Sequence, residues 1–140
     1  MTARLKITQW NAKQILAKGP RILKDYSVVL GAQLQEEMLT EQFYWPVDTK
    51  RKSGAFIKKG NRDIYDTGEL IQSQSESVSG DTLTIRYSAP YAFEVYEGGY
   101  RVDRKAGESY VAPPRDWVTP AQDAKPLLPF VIERWNKSNK

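Results

Sequence analysis

The chain contains neither cysteine nor histidine among its 140 residues. Without cysteine, disulfides and thiolate metal sites are excluded. Without histidine the commonest general base and metal ligand is missing, which excludes Ser-His, Cys-His and HExxH chemistry. An active site would have to be built from carboxylates, lysine, serine, threonine or tyrosine.

Long apolar runs are also missing. No stretch approaches the roughly 18 to 20 apolar residues that a membrane-spanning helix needs, and residues 1–10 do not have the pattern of a secretory signal. We therefore expect a soluble protein that is intracellular when made and has no membrane partner. The 40% hydrophobic content suffices for one domain over residues 1–140.

Charge is segregated along the chain, although the formal net charge is only +4. Residues 1–24 contain only basic charge, and residues 25–49 contain only acidic charge. Residues 50–62 are again wholly basic, and residues 63–99 are acidic except for Arg86. Such a pattern gives opposite surface patches. These are either ordinary solvated faces or surfaces through which copies of the chain meet positive to negative.

Periodicity and turn residues predict an α+β fold, in which a small antiparallel sheet packs with a long N-terminal helix, a short central helix and a C-terminal helix. Residues 5–8 alternate as in a strand. Asn11 is expected to cap a short helix that Gly19-Pro20 interrupts, and the long helix then runs from Pro20 to a stop before Pro46. Its apolar stripe repeats at every fourth position: Ile22, Tyr26, Leu30, Leu34 and Met38.

Turn residues divide the rest of the chain. Residues 74–78 and 82–87 predict a hairpin, and residues 90–98 a short helix between proline and glycine. Residues 49–62 and 98–109 are interpreted as extended loops or hairpins, the first with no role in the core.

The C-terminal helix is expected to begin with a cap at Thr119. Pro126 and Pro129 then break or restart it. Residues 136–140 are expected to form a flexible tail. One apolar face is predicted on this helix: Leu127, Leu128, Val131, Ile132 and Trp135.

Two acidic groups are the only candidates for catalysis or metal binding. Asp63, Asp66 and Glu69 would bind Mg²⁺ if they turned inward, with Lys58 or Lys59 beside them as in a nuclease. The favoured interpretation is that Asp66 caps a helical turn, through capping-box spacing with Glu69, and that the other acids are solvated. Glu94 and Glu97 share a helix face and fit an acid/base pair less well than an exposed acidic surface. We expect no catalytic residue, no metal and no cofactor.

Aromatic residues allow two interpretations. They either stack on single-stranded bases beside basic residues or, as favoured here, anchor the core and interfaces. The residues concerned are Trp10, Tyr44, Trp45, Tyr91, Phe93, Tyr96, Tyr100, Tyr110 and Trp117.

Three short stretches occur in a characteristic order. Residues 66–73 read Asp-Thr-Gly-Glu-Leu-Ile-Gln-Ser, residues 89–98 contain Pro-Tyr-Ala followed by Glu97-Gly98, and residues 112–121 contain Pro-Pro-Arg-Asp-Trp and end in Pro-Ala. Together they resemble the tail-completion and neck proteins of tailed bacteriophages. A partial copy of the first stretch, Pro46-Val47-Asp48-Thr49, follows the long helix with Lys50 in place of glycine. The displaced complete copy resembles the virion-morphogenesis branch named for phage Mu.

The resemblance implies a structural protein with no enzymatic activity, found in the virion neck or tail and in the host cytoplasm during assembly. Such proteins form rings, commonly of six subunits, that complete the tail and join it to the head connector. The implied partners are further copies of the chain, a connector or stopper, a tail terminator or tail tube, and DNA that passes through the channel without sequence specificity.

The resemblance also implies roles for individual residues. Those of the three stretches would set the fold: Asp66, Thr67, Gly68, Leu70, Pro90, Tyr91, Glu97, Gly98, Pro113, Pro114, Arg115 and Trp117. Basic residues of the two extended segments would contact neighbouring subunits or the channel: Lys50, Arg51, Lys52, Lys58, Lys59, Arg62, Arg101, Arg104 and Lys105.

Two other functions stay open. One is a small basic nucleic-acid-binding or metal-dependent nuclease domain that uses residues 50–62, and the other is a host-directed adaptor with no role in the virion.

Overall fold

A computed structural model describes residues 1–6, 12–104 and 107–138. The first elements in chain order are β1 (Thr2–Lys6), α1 (Ala12–Leu39), β2 (Phe43–Trp45), β3 (Thr49–Lys50), β4 (Phe56–Ile57) and β5 (Gly60–Arg62). They are followed by α2 (Glu69–Gln72), β6 (Gln74–Ser79), β7 (Thr82–Tyr87), α3 (Ala92–Glu97), β8 (Arg101–Asp103), β9 (Ser109–Val111), α4 (Val118–Ala124) and α5 (Leu127–Ser138). The predicted α+β class is confirmed.

A three-stranded antiparallel sheet, in the order β1-β7-β6, carries the core. The predicted hairpin forms its β6–β7 half, and Gly80 at φ 58° makes the turn. Since side chains alternate along a strand, β7 buries Leu83, Ile85 and Tyr87. The N-terminal strand is present but begins earlier than predicted, at Thr2, and the last two predicted positions lie outside the described residues.

Helix α1 packs against this sheet through the predicted stripe, all five members of which are buried. The predicted interruption at Gly19-Pro20 is wrong, because α1 continues through Pro20. A proline removes only one internal N–H donor from the helix, and burial of Ile22 and Leu23 on the next turn stabilises the continuous form.

The end of α1 comes earlier than predicted, at Leu39 instead of just before Pro46. Polar side chains satisfy its last carbonyls: the Thr40 hydroxyl donates to Glu36 O at 3.1 Å and the Gln42 amide to Glu37 O at 3.0 Å. The chain is then free to form β2, a strand that was not predicted.

Residues 49–62 form a β3–β4 hairpin followed by β5, which pairs antiparallel with β2. The prediction that this segment has no core role is wrong, because the Arg62 side chain on β5 is buried. Residues 98–109 contribute to a second hairpin, β8–β9.

The C-terminal region differs from prediction in its details. Helix α4 begins at Val118, so the predicted cap at Thr119 is wrong and Trp117 occupies the N-cap position. The first N–H groups are satisfied by the residue before it: Asp116 Oδ1 accepts hydrogen bonds from the Val118 and Thr119 N–H groups, both at 2.9 Å. Helix α5 restarts after Pro126 and holds Pro129 in its first turn. It remains helical to Ser138, so the predicted tail is wrong for residues 136–138, and residues 139–140 lie outside the described residues.

The predicted apolar face of α5 is only partly buried. Val131 is buried, but Leu128 is 64% exposed and Ile132 52% exposed. Within the described residues, no helix is both long and apolar enough to cross a membrane.

Trp117 lies at the centre of the aromatic core and is fully buried. Its ring makes edge contacts with Tyr87 at 5.3 Å and Tyr96 at 5.1 Å between centroids. Its indole N–H donates to the Tyr87 hydroxyl at 3.0 Å. Burial raises the pKa of Tyr87 above its usual 10.0, so the phenol stays neutral at physiological pH.

We predict that Trp117→Ala lowers the free energy of unfolding by about 3–5 kcal/mol, because it leaves a cavity and removes the donor to Tyr87. Urea unfolding measures the change. Phe93→Ala is the matched control, since Phe93 is 60% exposed, and we expect its effect to stay within about 0.5 kcal/mol. Equal losses in the two variants would contradict the central role of Trp117.

Asp116 gives the fold a defined pH dependence. Burial by itself would raise the pKa of Asp116, but hydrogen bonds from Thr119, Tyr96 and Val118 outweigh it and hold the pKa below 3.8. A carboxyl whose pKa is lower in the folded state stabilises the protein above its unfolded pKa, and this contribution disappears as the pH falls through the folded pKa.

We therefore predict that Asp116→Ala costs about 1 kcal/mol of stability at pH 7, and that the difference from the native chain shrinks below a pH of about 4. Thermal unfolding from pH 7 to pH 3 measures both effects. Asp123→Ala, an exposed carboxylate in the same helix, is the control. A loss that is equal at all pH values would show that Asp116 acts only through packing.

Candidate functional site

The three short stretches singled out in the sequence, 66–73, 89–98 and 112–121, meet around one cleft of about 350 Å³. We call it the motif cleft, defined by Asp66 to Ile71 from the first stretch, Tyr91 and Val95 from the second, and Arg115 from the third. Its remaining wall includes Trp45 and basic residues of the segment 49–62. Residues far apart in sequence are therefore brought to one place.

The first stretch makes a tight turn into α2. Gly68 has φ +84°, a left-handed conformation that favours glycine. The predicted cap is wrong: Asp66 does not bond the helix but accepts hydrogen bonds from the Ser53 hydroxyl and N–H in the β3–β4 turn. The Thr67 hydroxyl accepts the Glu69 N–H at 3.4 Å, and Leu70 is buried beneath the turn.

A hydrogen bond joins the first stretch to the second. The Tyr91 hydroxyl donates to Glu69 Oε2 at 3.1 Å. Burial, followed by the Glu69 carboxylate, raises the pKa of Tyr91. The predicted short helix after Pro90 is confirmed as α3, and Pro90 itself is exposed.

Backbone contact joins the second stretch to the third. Gly98 has φ +59°, and a Cβ on it would lie 2.5 Å from the Pro113 carbonyl carbon and from Pro114 N. The Gly99 N–H donates to Ala112 O at 2.7 Å in the same crossing. Only glycine fits this close approach, whereas the neighbouring Glu97 is exposed.

Arg115 connects the third stretch to the rest of the cleft. Its guanidinium donates to Val95 O at 3.2 Å and to the Tyr100 hydroxyl at 3.0 Å, and it lies 4.6 Å from the centroid of the Trp45 ring. Burial lowers the pKa of Arg115 from 12.5, yet an arginine remains charged at neutral pH. The stacked cation and its hydrogen bonds hold α3, β2 and the third stretch together.

Arg62 lies near the same Trp45 ring, 5.8 Å from its centroid. Its guanidinium donates to the Thr49 hydroxyl at 2.5 Å, to Val47 O at 3.0 Å and to Lys58 O at 2.7 Å. Burying a charge is costly unless it is hydrogen-bonded, and the loop oxygens bond both terminal nitrogens of Arg62, whereas its buried Nε has no partner among the described residues. Arg62 was predicted to be an external contact, but its burial makes that role wrong.

The other predicted contact residues fall into two groups. Arg51 is mostly enclosed: it forms an ion pair with Asp63 at 2.9 Å and donates to Asp63 O and Tyr65 O. The remaining described ones are exposed on the two hairpins: Lys50, Lys52, Lys58, Lys59, Arg101 and Arg104. Lys105 lies outside the described residues.

The acids that were candidates for a metal each have a partner within the chain. Asp63 pairs with Arg51, Asp66 accepts from Ser53, and Glu69 accepts from Tyr91. No group of three or more acids in the described part of the chain is placed to hold a metal ion. Glu94 and Glu97 are both exposed.

Most of the described aromatic residues anchor the structure, as the favoured interpretation predicted. Tyr110 makes an edge contact with Trp45 at 5.6 Å between centroids, and Trp117 and Trp45 are buried. Tyr44 and Phe93 are about 60% exposed, and Trp10 lies outside the described residues. The meeting of Arg62, Trp45 and Arg115 was not predicted. The only signal for it was the alternation of Phe43 and Trp45.

Comparisons with protein-family models, with curated proteins and with solved structures found no match to this chain.

We predict that Gly98→Ala lowers the free energy of unfolding by roughly 2–4 kcal/mol, because the methyl group meets the Pro113 backbone and the conformation excludes other residues. Gly99→Ala is the matched control: its φ is +78°, and nothing lies within 4 Å of its Cβ position. We expect it to cost about 1 kcal/mol of strain alone. Chemical unfolding of both variants measures the difference, and similar losses would refute the close contact between the stretches.

Proposed function

We propose that this chain is a structural protein of the neck of a tailed bacteriophage. It forms a ring, with six subunits favoured, that completes the tail and joins it to the head connector around the DNA channel. The observation that supports this most is the meeting of the three family-like stretches. Each contacts the next through Tyr91–Glu69 and Gly98–Pro113, as expected if the order of these stretches marks a shared fold.

The two hairpins provide a surface for neighbouring subunits. Arg104 of β8–β9 donates to Asp48 O beside β3 at 3.3 Å, so the hairpins lie next to each other. Phe56 on β4 is 64% exposed and Val111 on β9 is 62% exposed. Exposed apolar residues bordered by charged ones are typical of protein–protein interfaces.

Charge segregation fits the same assembly. Lys58 and Lys59 are exposed in the β4–β5 turn, which follows the first hairpin, while Glu36 and Glu41 are exposed near the end of α1. A ring joins its subunits head to tail, so each subunit needs two different, complementary surfaces. One basic and one acidic region on the same chain meet this requirement.

The nuclease alternative has less support. The three acids that it would use are engaged by Arg51, Ser53 and Tyr91, and those contacts account for their positions.

Electron microscopy and native mass measurement of the purified chain, alone and mixed with tail tubes, test the proposal. We expect rings, either of the chain alone or at the head-proximal end of the tails. Lys58→Glu/Lys59→Glu should lower ring occupancy at least about tenfold by reversing charge at the interface. Arg21→Glu/Lys24→Glu changes the charge equally on exposed positions of α1 and should assemble normally.

A chain that stays monomeric and never joins tails would overturn the proposal. Equal loss in the two double variants would show that the hairpins are not the subunit contact.

A further inference from the structure

The outer face of the β1-β7-β6 sheet carries hydroxyl and basic residues. The outward residues of β7 are Thr82, Thr84 and Arg86, because Leu83, Ile85 and Tyr87 point into the core. The strand register places three rows side by side: Thr2, Arg86 and Ser75; Arg4, Thr84 and Ser77; Lys6, Thr82 and Ser79.

None of these nine positions holds a carboxylate. Six carry hydroxyl groups and three are basic. Glu76 belongs to the opposite side of β6, where its carboxylate accepts from the Gln74 amide at 2.6 Å and Gln74 in turn donates to Gly31 O of α1 at 2.9 Å. The described charged side chains of this face are therefore those of Arg4 and Arg86, although β6 and β7 lie in the acidic part of the sequence. Asp81 in the β6–β7 turn borders the face at one end, where its carboxylate accepts a hydrogen bond from the Thr82 hydroxyl at 3.1 Å.

Arg4 and Arg86 are both exposed, and the side chain of neither has an ion pair or hydrogen bond among the described residues. Elsewhere in the described residues, five arginines have such partners, namely Arg51, Arg62, Arg101, Arg104 and Arg115. Arg21 and Arg134, both on helices, do not, and Arg134 lies over the Phe130 ring. Two unengaged guanidinium groups on one face are available to an external acceptor.

The two arginines border a shallow depression of about 500 Å³, whose other lining residues are Thr2, Ser75, Ser77 and Thr84. Antiparallel strands lie about 5 Å apart, and alternate residues along a strand lie about 7 Å apart. Donors are thus spread in two dimensions over an open surface. This arrangement fits a charged backbone better than a small enclosed ligand.

The residue types on this face favour phosphate groups as its ligand. Serine and threonine hydroxyls, arginine and lysine are the groups that contact phosphate oxygens in nucleic-acid complexes. The nine positions contain no aromatic residue for base stacking and no large apolar residue for insertion into a membrane. A duplex presents its phosphates outward, so binding it requires neither base stacking nor the insertion of an apolar side chain.

We propose that the outer face of this sheet binds the phosphodiester backbone of double-stranded DNA without reading its sequence. This assigns the DNA contact to β1, β7 and β6, a different surface from the basic hairpins. The inference rests on the proposed function only for the source of the DNA, which would be the genome passing through the channel. The binding itself requires no ring.

Fluorescence anisotropy of the full chain with a labelled 20-base-pair duplex tests the proposal over a range of salt concentrations. We expect Arg4→Gln/Arg86→Gln to weaken binding by roughly tenfold at low salt and to reduce the slope of log K against log salt by about 2, because two phosphate contacts are lost. Arg4→Lys/Arg86→Lys keeps the charge and should keep the slope.

Arg21→Gln/Lys24→Gln is the matched control, since it removes the same charge from exposed positions of α1 that belong neither to this face nor to the proposed subunit contact. We expect its slope to equal that of the native chain. Ser77→Asp gives a second test at an exposed position paired with Thr84: an added carboxylate in the middle of the face should weaken binding by at least about tenfold. Circular dichroism and thermal unfolding establish that each variant is folded.

Three results would overturn the proposal. They are the absence of duplex binding by the native chain at low salt, an equal slope change in the two Gln variants, and a change of oligomeric state in Arg4→Gln/Arg86→Gln without loss of DNA binding. The last would assign the face to an acidic protein surface. Failure of the proposed neck function is a separate result, because tail joining is scored by microscopy. A chain that binds DNA through this face and never joins tails would refute only the neck function.

Discussion

The burial of Trp117 is the constraint on which the arrangement of the core depends. A buried indole N–H without an acceptor costs free energy, and Tyr87 on β7 provides the acceptor for Trp117. The Tyr87 hydroxyl donates in turn to Gln74 Oε1 on β6 at 2.8 Å, and the Gln74 amide donates to Gly31 O on α1. This chain of hydrogen bonds fixes the third stretch, two strands and the long helix relative to one another, and each link depends on the one before it.

Close packing requires glycine where the second stretch crosses the third. A Cβ on Gly98 would lie 2.5 Å from the backbone of Pro113 and Pro114. At Gly31 of α1 a Cβ would meet only the end of the exposed Glu76 side chain, which is free to move. With the crossing at Gly98 fixed, Arg115 reaches Val95, Tyr100 and the Trp45 ring together. The motif cleft is therefore a consequence of core packing, and the contacts described for its residues are contacts within the chain.

Elements that depend on local pattern were predictable from the sequence. The five-residue stripe of α1, the β6–β7 hairpin around Gly80 and helix α3 each follow from neighbours in the chain. The failures involve distant partners. Asp66 has the spacing of a cap, but Ser53 offers it two donors across the β3–β4 turn. Arg62 stands in a basic run that indicates exposure, yet carbonyls of its own loop enclose it. The residues next to Asp66 and Arg62 in the sequence do not indicate which more distant donors or acceptors these side chains bind in the folded chain.

Charges that are segregated along the sequence are distributed differently on the surface of the folded chain. Arg86 is the only base of residues 63–99, and the sheet register places it beside Thr2 and one row from Arg4 of the N-terminal basic block. Folding thus unites two sequence regions of opposite average charge into one positive face. The second basic block, residues 50–62, belongs to the β3–β4 hairpin, the β4–β5 turn and β5, which are other elements of the structure. The proposed ring around DNA requires one surface for neighbouring subunits and another for the DNA. The hairpins and the β1-β7-β6 sheet are separate sheets of the structure and are the surfaces proposed here for these two contacts.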